Sequence, residues 1–350
     1  MKNEKYTISD VAKIAGVSRS TVSRVLNDQP GVGAELRKKV LACIEEIGFK
    51  PNTLAKSLIK GHINIVALVF GDVRNPFYAE LAFYIQKILN DNGYMVMAFN
   101  SEYDMKKEIE YIKMAVQFNF AGLILLTTQT QEMKETLQNV QLPVVLVNRT
   151  FDTFHGDTVS LDNFQAGYMA TKHLISLGHS SFAFLAGPMN SSSVKQRYNG
   201  FLQAQNSYQI PFDPEKHVFS GNLKMETGYE LAKKYVAHLR ELPSAVVISN
   251  DLMAIGFIDY CQKNHVDIPG MLSIISFDNI NLSDLHAIGL TTISQKAKQM
   301  SEYAAKLFLR RIQEPDAPPE HILIEPELIV RKTTSTYNPN RLDGWKSQDI

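Results

Sequence analysis

From residue 63 onward the chain alternates between short apolar runs and longer amphipathic segments, and this restricts the fold more than any other feature. Apolar runs over 63–70, 94–100, 122–126 and 144–147 read as strands, separated by helical periodicity over 77–92, 105–119 and 131–140. A second series follows: helix 164–177, strand 181–186, helix 194–205, strand 218–220, helix 226–239, strand 245–249, helix 252–264 and strand 272–277. Repetition of this kind gives parallel sheets covered by helices on both faces. Two series imply two lobes. Ligands of such folds bind outside the carboxyl ends of the strands, so a cleft between the lobes is the expected small-molecule site.

The residues before this pattern read differently. Thr7 is a good helix N-cap, with Asp10 in the first turn. Ile8, Val11, Ala12 and Ala15 recur at three- and four-residue spacing. Gly16 suits the left-handed conformation that closes a helix, and Ser18 can cap the next. That second helix buries Val22, Val25 and Leu26 and turns Arg19, Ser20, Thr21, Ser23 and Arg24 outward. A short helix showing guanidinium and hydroxyl groups suits a DNA major groove, where arginine reads guanine edges and hydroxyls take phosphates. The alternative is two helices of an ordinary core with a solvated face. The agreement of cap, glycine, apolar and polar positions over the whole stretch favours a helix-turn-helix. A third helix over 34–47, carrying Leu36, Val40, Cys43, Ile44 and Ile47, completes a small all-α head.

Charge supports the same division. The chain has 350 residues and no net charge, yet residues 1–62 hold eleven Lys/Arg against six Asp/Glu, about +5, which leaves about −5 on the remainder. Cys43 and Cys261 form no pair with metal-ligand spacing and read as buried apolar fillers in a reducing compartment. The start of the chain lacks the apolar region of a secretory signal, and no run approaches a membrane span, so a cytoplasmic protein is expected. The sequence contains no glycine-rich phosphate loop, no G-x-S-x-G elbow and no metal-binding spacing; neither an enzyme nor a cofactor or metal is expected.

The run from Asp10-Val11-Ala12 to Val22-Ser23-Arg24-Val25-Leu26-Asn27 resembles the amino terminus of the lactose/galactose repressor family of bacterial transcription regulators. The likeness extends from about Tyr6 to Thr334 and returns in Ser249-Asn250-Asp251-Leu252-Met253-Ala254-Ile255-Gly256, in Phe277-Asp278-Asn279, in Arg197-x-x-Gly200-Phe201 and in Leu290-Thr291-Thr292-Ile293-x-Gln295. It implies a head over 1–50, a hinge over 51–61, a two-lobed periplasmic-binding-protein-like effector and dimerisation domain over 62–335, and a polar tail over 336–350. The N-lobe would hold about 62–161 and 294–321, the C-lobe about 162–293 and 322–335. The DNA-facing set is then Thr7, Ser18, Arg19, Ser20, Thr21, Ser23, Arg24 and Asn27. By resemblance, Ala55, Lys56 and Leu58 of the hinge join it, with Leu58 wedging a minor-groove base step. Read without the resemblance, 51–58 is a simple linker.

Polar residues placed just after strands are candidates for the cleft: Thr128, Asn250 and Asp278, together with Arg197 and Asp162. Each is equally suited to a helix cap or an ion pair. In the family the positions of Asp162, Arg197, Asn250, Asp278 and Gln295 line or border the effector cleft, and the segment of Phe77 and Tyr78 covers the ligand; core packing suits Phe77 nearly as well, and a structural role suits Asp251 and Gln295 equally. Departures narrow the effector. Ser191 stands where the purine-responsive relative has a second arginine, which argues against an anionic or oxo-purine ligand, and Leu223 stands where several relatives stack an aromatic ring. Lys298 and Lys306 replace the tyrosine and arginine that a catabolite-regulating relative offers its protein partner, and the tail lacks the leucine heptads of a tetramer. The expectation is a dimeric repressor of a palindromic operator, controlled by a small molecule, with a sugar or sugar derivative preferred by analogy. A transport-type solute-binding protein and a regulator with a protein co-regulator are the alternatives.

Overall fold

The structure is a computed structural model and describes residues 6–26, 29–49, 62–126, 131–151 and 154–342. The chain divides into two units, 1–63 and 64–350. Asn27, the hinge residues Ala55, Lys56 and Leu58, Thr128 and the end of the tail lie outside the described residues.

In the first unit, α1 (Ile8–Ala15), α2 (Arg19–Leu26) and α3 (Ala34–Glu46) enclose Val11, Ala15, Val22, Val25, Val40, Cys43 and Phe49. Thr7 and Asp10 form a reciprocal capping box: the Asp10 amide donates to Thr7 Oγ1 and the Thr7 amide to the Asp10 carboxylate. Gly16 closes α1 with φ of 67°. Ser18 Oγ accepts the Thr21 amide at 3.1 Å and so caps α2. Leu36, expected in this core, is 39% exposed. It falls on the outer face of α3, and Phe49 beyond the helix fills the space instead.

The second unit contains two six-stranded sheets. The first collects β1 (Ile63–Phe70), β2 (Met95–Asn100), β3 (Phe120–Leu126), β4 (Val144–Val147) and β5 (Asp157–Leu161) around α4 (Pro76–Asp91), α5 (Met105–Gln117) and α6 (Gln131–Gln138). The second collects β6 (Phe182–Ala186), β7 (Val218–Ser220), β8 (Ala245–Ile248), β9 (Ser273–Asp278) and β10 (Thr291–Ser294). Its helices are α7 (Asn163–Ser176), α8 (Ser192–Ser207), the single turn α9 (Pro214–His217), α10 (Met225–Ala237) and α11 (Asp251–Lys263). The chain then returns: α12 (Ala297–Gln313) packs on α4 and β11 (His321–Ile324) joins the first sheet, while β12 (Glu327–Ile329) joins the second. The strand orders are β11-β5-β4-β3-β1-β2 and β12-β10-β9-β8-β6-β7, with β12 antiparallel to β10.

Three connections therefore join the lobes, at residue 162, at 295–296 and at 325–326. The third falls later than the expected 322, because Ile322, Leu323 and Ile324 still pair with Val159, Ser160 and Leu161 of β5. The Asp162 amide donates to Ile324 O at 2.9 Å, tying the first connection to the third. The strand interiors are buried, with Val66, Leu68, Ile124, Val145, Phe184, Val247 and Ile275 in one continuous core.

Two helix pairs of the second lobe approach unusually closely. A Cβ on Gly167 would collide with the Arg197 carbonyl, and one on Gly200 with the Phe164 carbonyl, so α7 and α8 cross at reciprocal glycines. Gly228 and Gly256 stand in the same relation where α10 crosses α11.

Candidate functional site

The carboxyl ends of strands from both sheets meet at a small polar cavity. It is lined from the first lobe by Asn75, Phe77, Tyr78, Asn148 and Arg149, and from the second by Ser193, Val194, Arg197, Leu223, Asn250 and Asp278, with Gln295 on the second connection. The free space is about 20 Å³, room for about one water. A sugar-sized molecule does not fit it with the lobes as they stand.

Each wall is positioned by local structure. Asn75 caps α4 by accepting the Phe77 amide at 3.0 Å, which turns Phe77 and Tyr78 inward. Asn250 caps α11 through the Met253 amide and donates to Leu223 O at 3.0 Å. Arg197, on the inner face of α8, donates from Nε to Asn163 Oδ1 at 2.8 Å and from Nη1 to Ser249 O at 2.7 Å. Its guanidinium lies 4.7 Å from the Phe277 ring centroid and 3.8 Å from Asp278 Oδ1. Gln295 Nε2 donates to the same oxygen at 2.5 Å.

Two properties are concentrated at this cavity. Asn148, Leu223 and Asp278 hold φ of 67°, 69° and 123°. Side-chain-bearing residues seldom occupy that region, and such strain gathers at functional sites. Asn148 Oδ1, Arg149 Nε and Gln295 Oε1 are buried with no hydrogen-bond partner. Buried polar atoms are almost always satisfied, and three that are not belong to residues lining this one cavity.

Burial pushes the Asp278 carboxyl up to about 7, against the pull of Arg197 and Gln295, with Asp251 adding to the rise. Burial also lowers Arg197, which nevertheless stays charged at any ordinary pH. The sign of the linkage follows from the raised acid: the folded site holds this proton more tightly than the unfolded chain does. Stability connected with Asp278 is thus full below about pH 4 and is lost as pH rises through 7. Asp278→Asn, which is neutral throughout, is expected to gain on the wild type by about 1–3 kcal/mol between pH 5 and pH 8. Melting curves of both proteins across that range check this, and a difference independent of pH would contradict it.

The sequence-derived candidates divide accordingly. Phe77, Tyr78, Arg197, Asn250, Asp278 and Gln295 come together. Asp162 does not line the cavity: it accepts the Gln165 amide at 2.8 Å as the cap of α7, at the first connection. Asp251 is structural: its carboxylate accepts from Ser276, Ser283, Thr292 and the Ile280 amide, all buried. Asn75, Asn148, Arg149 and Ser193 were not anticipated. Asn148 and Arg149 directly follow β4, so the rule that found Asn250 and Asp278 applies to them equally. In the head, Arg19, Ser20 and Arg24 are exposed on α2, Thr21 and Ser23 are half-buried, and Thr7 and Ser18 are exposed at the helix starts. Among the described residues no three His, Cys, Asp or Glu side chains group as metal ligands, and no helix is long and apolar enough to cross a membrane.

Residues 7–52 match the family model described as bacterial regulatory proteins, lacI family, and residues 171–334 that of a periplasmic binding protein-like domain. The HTH-type transcriptional regulator DegA of Bacillus subtilis is 34% identical over 338 residues, which cover 95% of this chain and 99% of that protein. The HTH-type transcriptional repressor PurR of Pasteurella multocida is 32% identical over 332 residues, with 94% and 99% covered. Among solved structures, the lac repressor dimer bound to operator and the anti-inducer ONPF matches with a TM-score of 0.85 at 23% identity, covering 95% of this chain and 100% of that one.

Proposed function

We propose that this chain, which belongs to the lacI family of bacterial regulatory proteins and is a DNA-binding transcriptional repressor rather than an enzyme, binds a palindromic operator as a homodimer under the control of a small polyhydroxylated effector held between its lobes. The observation that carries the effector reading is the set of three unpartnered buried polar atoms converging on one cavity walled by both lobes. Hydroxyl groups suit them, because each hydroxyl both donates and accepts. The protein acts in the cytoplasm, where its operator is.

Dimerisation is supported by the apolar edge of the first lobe. Met95 on the edge strand β2 is 63% exposed and Phe83 on the adjoining α4 is 61% exposed. Large apolar groups at an unpaired sheet edge favour association. A dimer places two recognition helices against two half-sites, which matches protein symmetry to operator symmetry.

Arg19 and Ser20 open α2 on its exposed face and are the residues best placed to read bases. Arg19→Ala is expected to relax preference at one operator position by about 1–3 kcal/mol while leaving others unchanged. Binding to a library of operator variants measures it; equal weakening on every sequence would make Arg19 a phosphate contact instead. The effector reading is tested by a thermal-shift screen of the full chain against sugars, sugar acids, sugar phosphates, nucleosides and bases. Ligand at a hundred times its dissociation constant adds about 2.7 kcal/mol. A hit that Asp278→Ala abolishes supports the cleft, and a hit that survives this change places the ligand elsewhere.

A further inference from the structure

We propose that the effector is an anion, a polyhydroxylated molecule whose carboxylate or phosphate group is taken by Arg149. This inference rests on the reading of the cleft as the effector site and names the class of molecule it takes.

Arg149 is only 7% exposed, and Nε has no partner. Nη2 reaches the Tyr78 hydroxyl at 3.5 Å, the outer limit of a hydrogen bond. The guanidinium rests 5.5 Å from the Tyr103 ring centroid, and among the described residues no carboxylate lies within ion-pair distance of it. Arg197, the other arginine buried to this degree, is by contrast fully engaged by Asn163, Ser249, Phe277 and Asp278. A guanidinium cannot shed its proton to escape burial, and an unpaired buried charge is strongly unfavourable. The cavity thus presents two cations and one acid, and that acid already belongs to Arg197 and Gln295.

The chemistry that completes the site follows group by group. Arg149 calls for an anionic oxygen, which accepts from a guanidinium in paired fashion. Asn148 Oδ1 and Gln295 Oε1 call for donors, which hydroxyls supply. A sugar acid or sugar phosphate offers both, whereas a neutral sugar can accept from Arg149 Nε but leaves the guanidinium charge without a counter-ion. The expectation drawn from Ser191 is revised by this arrangement: the second arginine comes from the opposite lobe, at the end of β4, instead of from the loop before α8.

The test uses the full chain, its Arg149→Met and Arg149→Lys variants, and inorganic phosphate and acetate as probes at about 50 mM, with chloride at matched ionic strength. Wild type is expected to gain about 2 °C or more in Tm over chloride with at least one probe. Arg149→Lys is expected to keep part of that gain and Arg149→Met to lose it, while Arg149→Met without probe melts no lower than wild type. Phosphate acting alone points to a phosphate ester, and acetate acting alone to a carboxylate. Equal responses in wild type and Arg149→Met, no response in either, or an Arg149→Met protein melting several degrees lower overturns the proposal. A neutral sugar bound equally well by wild type and Arg149→Met overturns the anion but not the cleft. Only persistence of that binding in Asp278→Ala removes the cleft as well.

Discussion

Asp251→Ala is expected to cost about 3–5 kcal/mol of stability, without any direct contact to the cavity being removed. The carboxylate gathers four donors: Ser283 Oγ at 2.6 Å, Thr292 Oγ1 at 2.7 Å, the Ile280 amide at 3.0 Å and a short bond from Ser276 Oγ. Together these fasten the start of α11 to β9, to the turn after it and to β10. Alanine leaves all four donors in a dry interior. The hydroxyls can rotate to seek other acceptors, but the Ile280 amide is fixed and stays unsatisfied. Asp251→Asn, which retains one carbonyl oxygen, is expected to lose distinctly less. Chemical denaturation of the two variants measures the difference, and similar midpoints for Asp251→Ala and wild type would show that the network contributes little.

The second large effect has a sign opposite to that of helix propensity. Replacing an exposed helical glycine by alanine normally stabilises by about 1 kcal/mol. Gly200→Ala is expected instead to destabilise by about 3 kcal/mol or more, because its Cβ would enter the Phe164 carbonyl and stand 2.6 Å from the Tyr168 nitrogen. Those neighbours are backbone and cannot rotate aside, so α7 and α8 must separate. Separation would also carry Arg197, one turn away on α8, from Asn163 on α7. Loss of stability together with loss of effector binding is the expected pair of results. A variant as stable as wild type would mean that the helices part freely.

Much of the frame was legible because each element carried its own punctuation. The strands were continuous apolar runs, and the helices between them opened on Asn75, Asp104 and Asn250. What escaped was what only distant pairing makes into structure. Residues 157–161 do not look like a central strand, with Asp157 at their head. That carboxylate is buried because Arg311, far downstream, donates to it from Nε at 2.9 Å. The lobe boundary expected at 322 falls inside the strand at 321–324 for the same reason, the register of that strand being set by β5. At the cavity, placement after a strand was enough to find Asn250 and Asp278. It was not enough to tell Asp162 and Asp251, which are used up by amides and hydroxyls, from residues with bonding capacity to spare. Arg149 was missed although it sits at a strand end, since its significance is the lack of a carboxylate beside it.

The second connection between the lobes has a mechanical meaning. Gln295 closes the cavity with one hand on Asp278 and an oxygen still empty, and Lys296 alone separates it from α12, which is packed in the other lobe. Under the effector site proposed above, a molecule that bonds this amide would pull on the strap joining the two lobes. Occupancy and lobe angle would then be coupled through two peptide bonds, with no relay of side chains required between them. On that reading the place where the effector sits and the place where the molecule bends coincide at this residue.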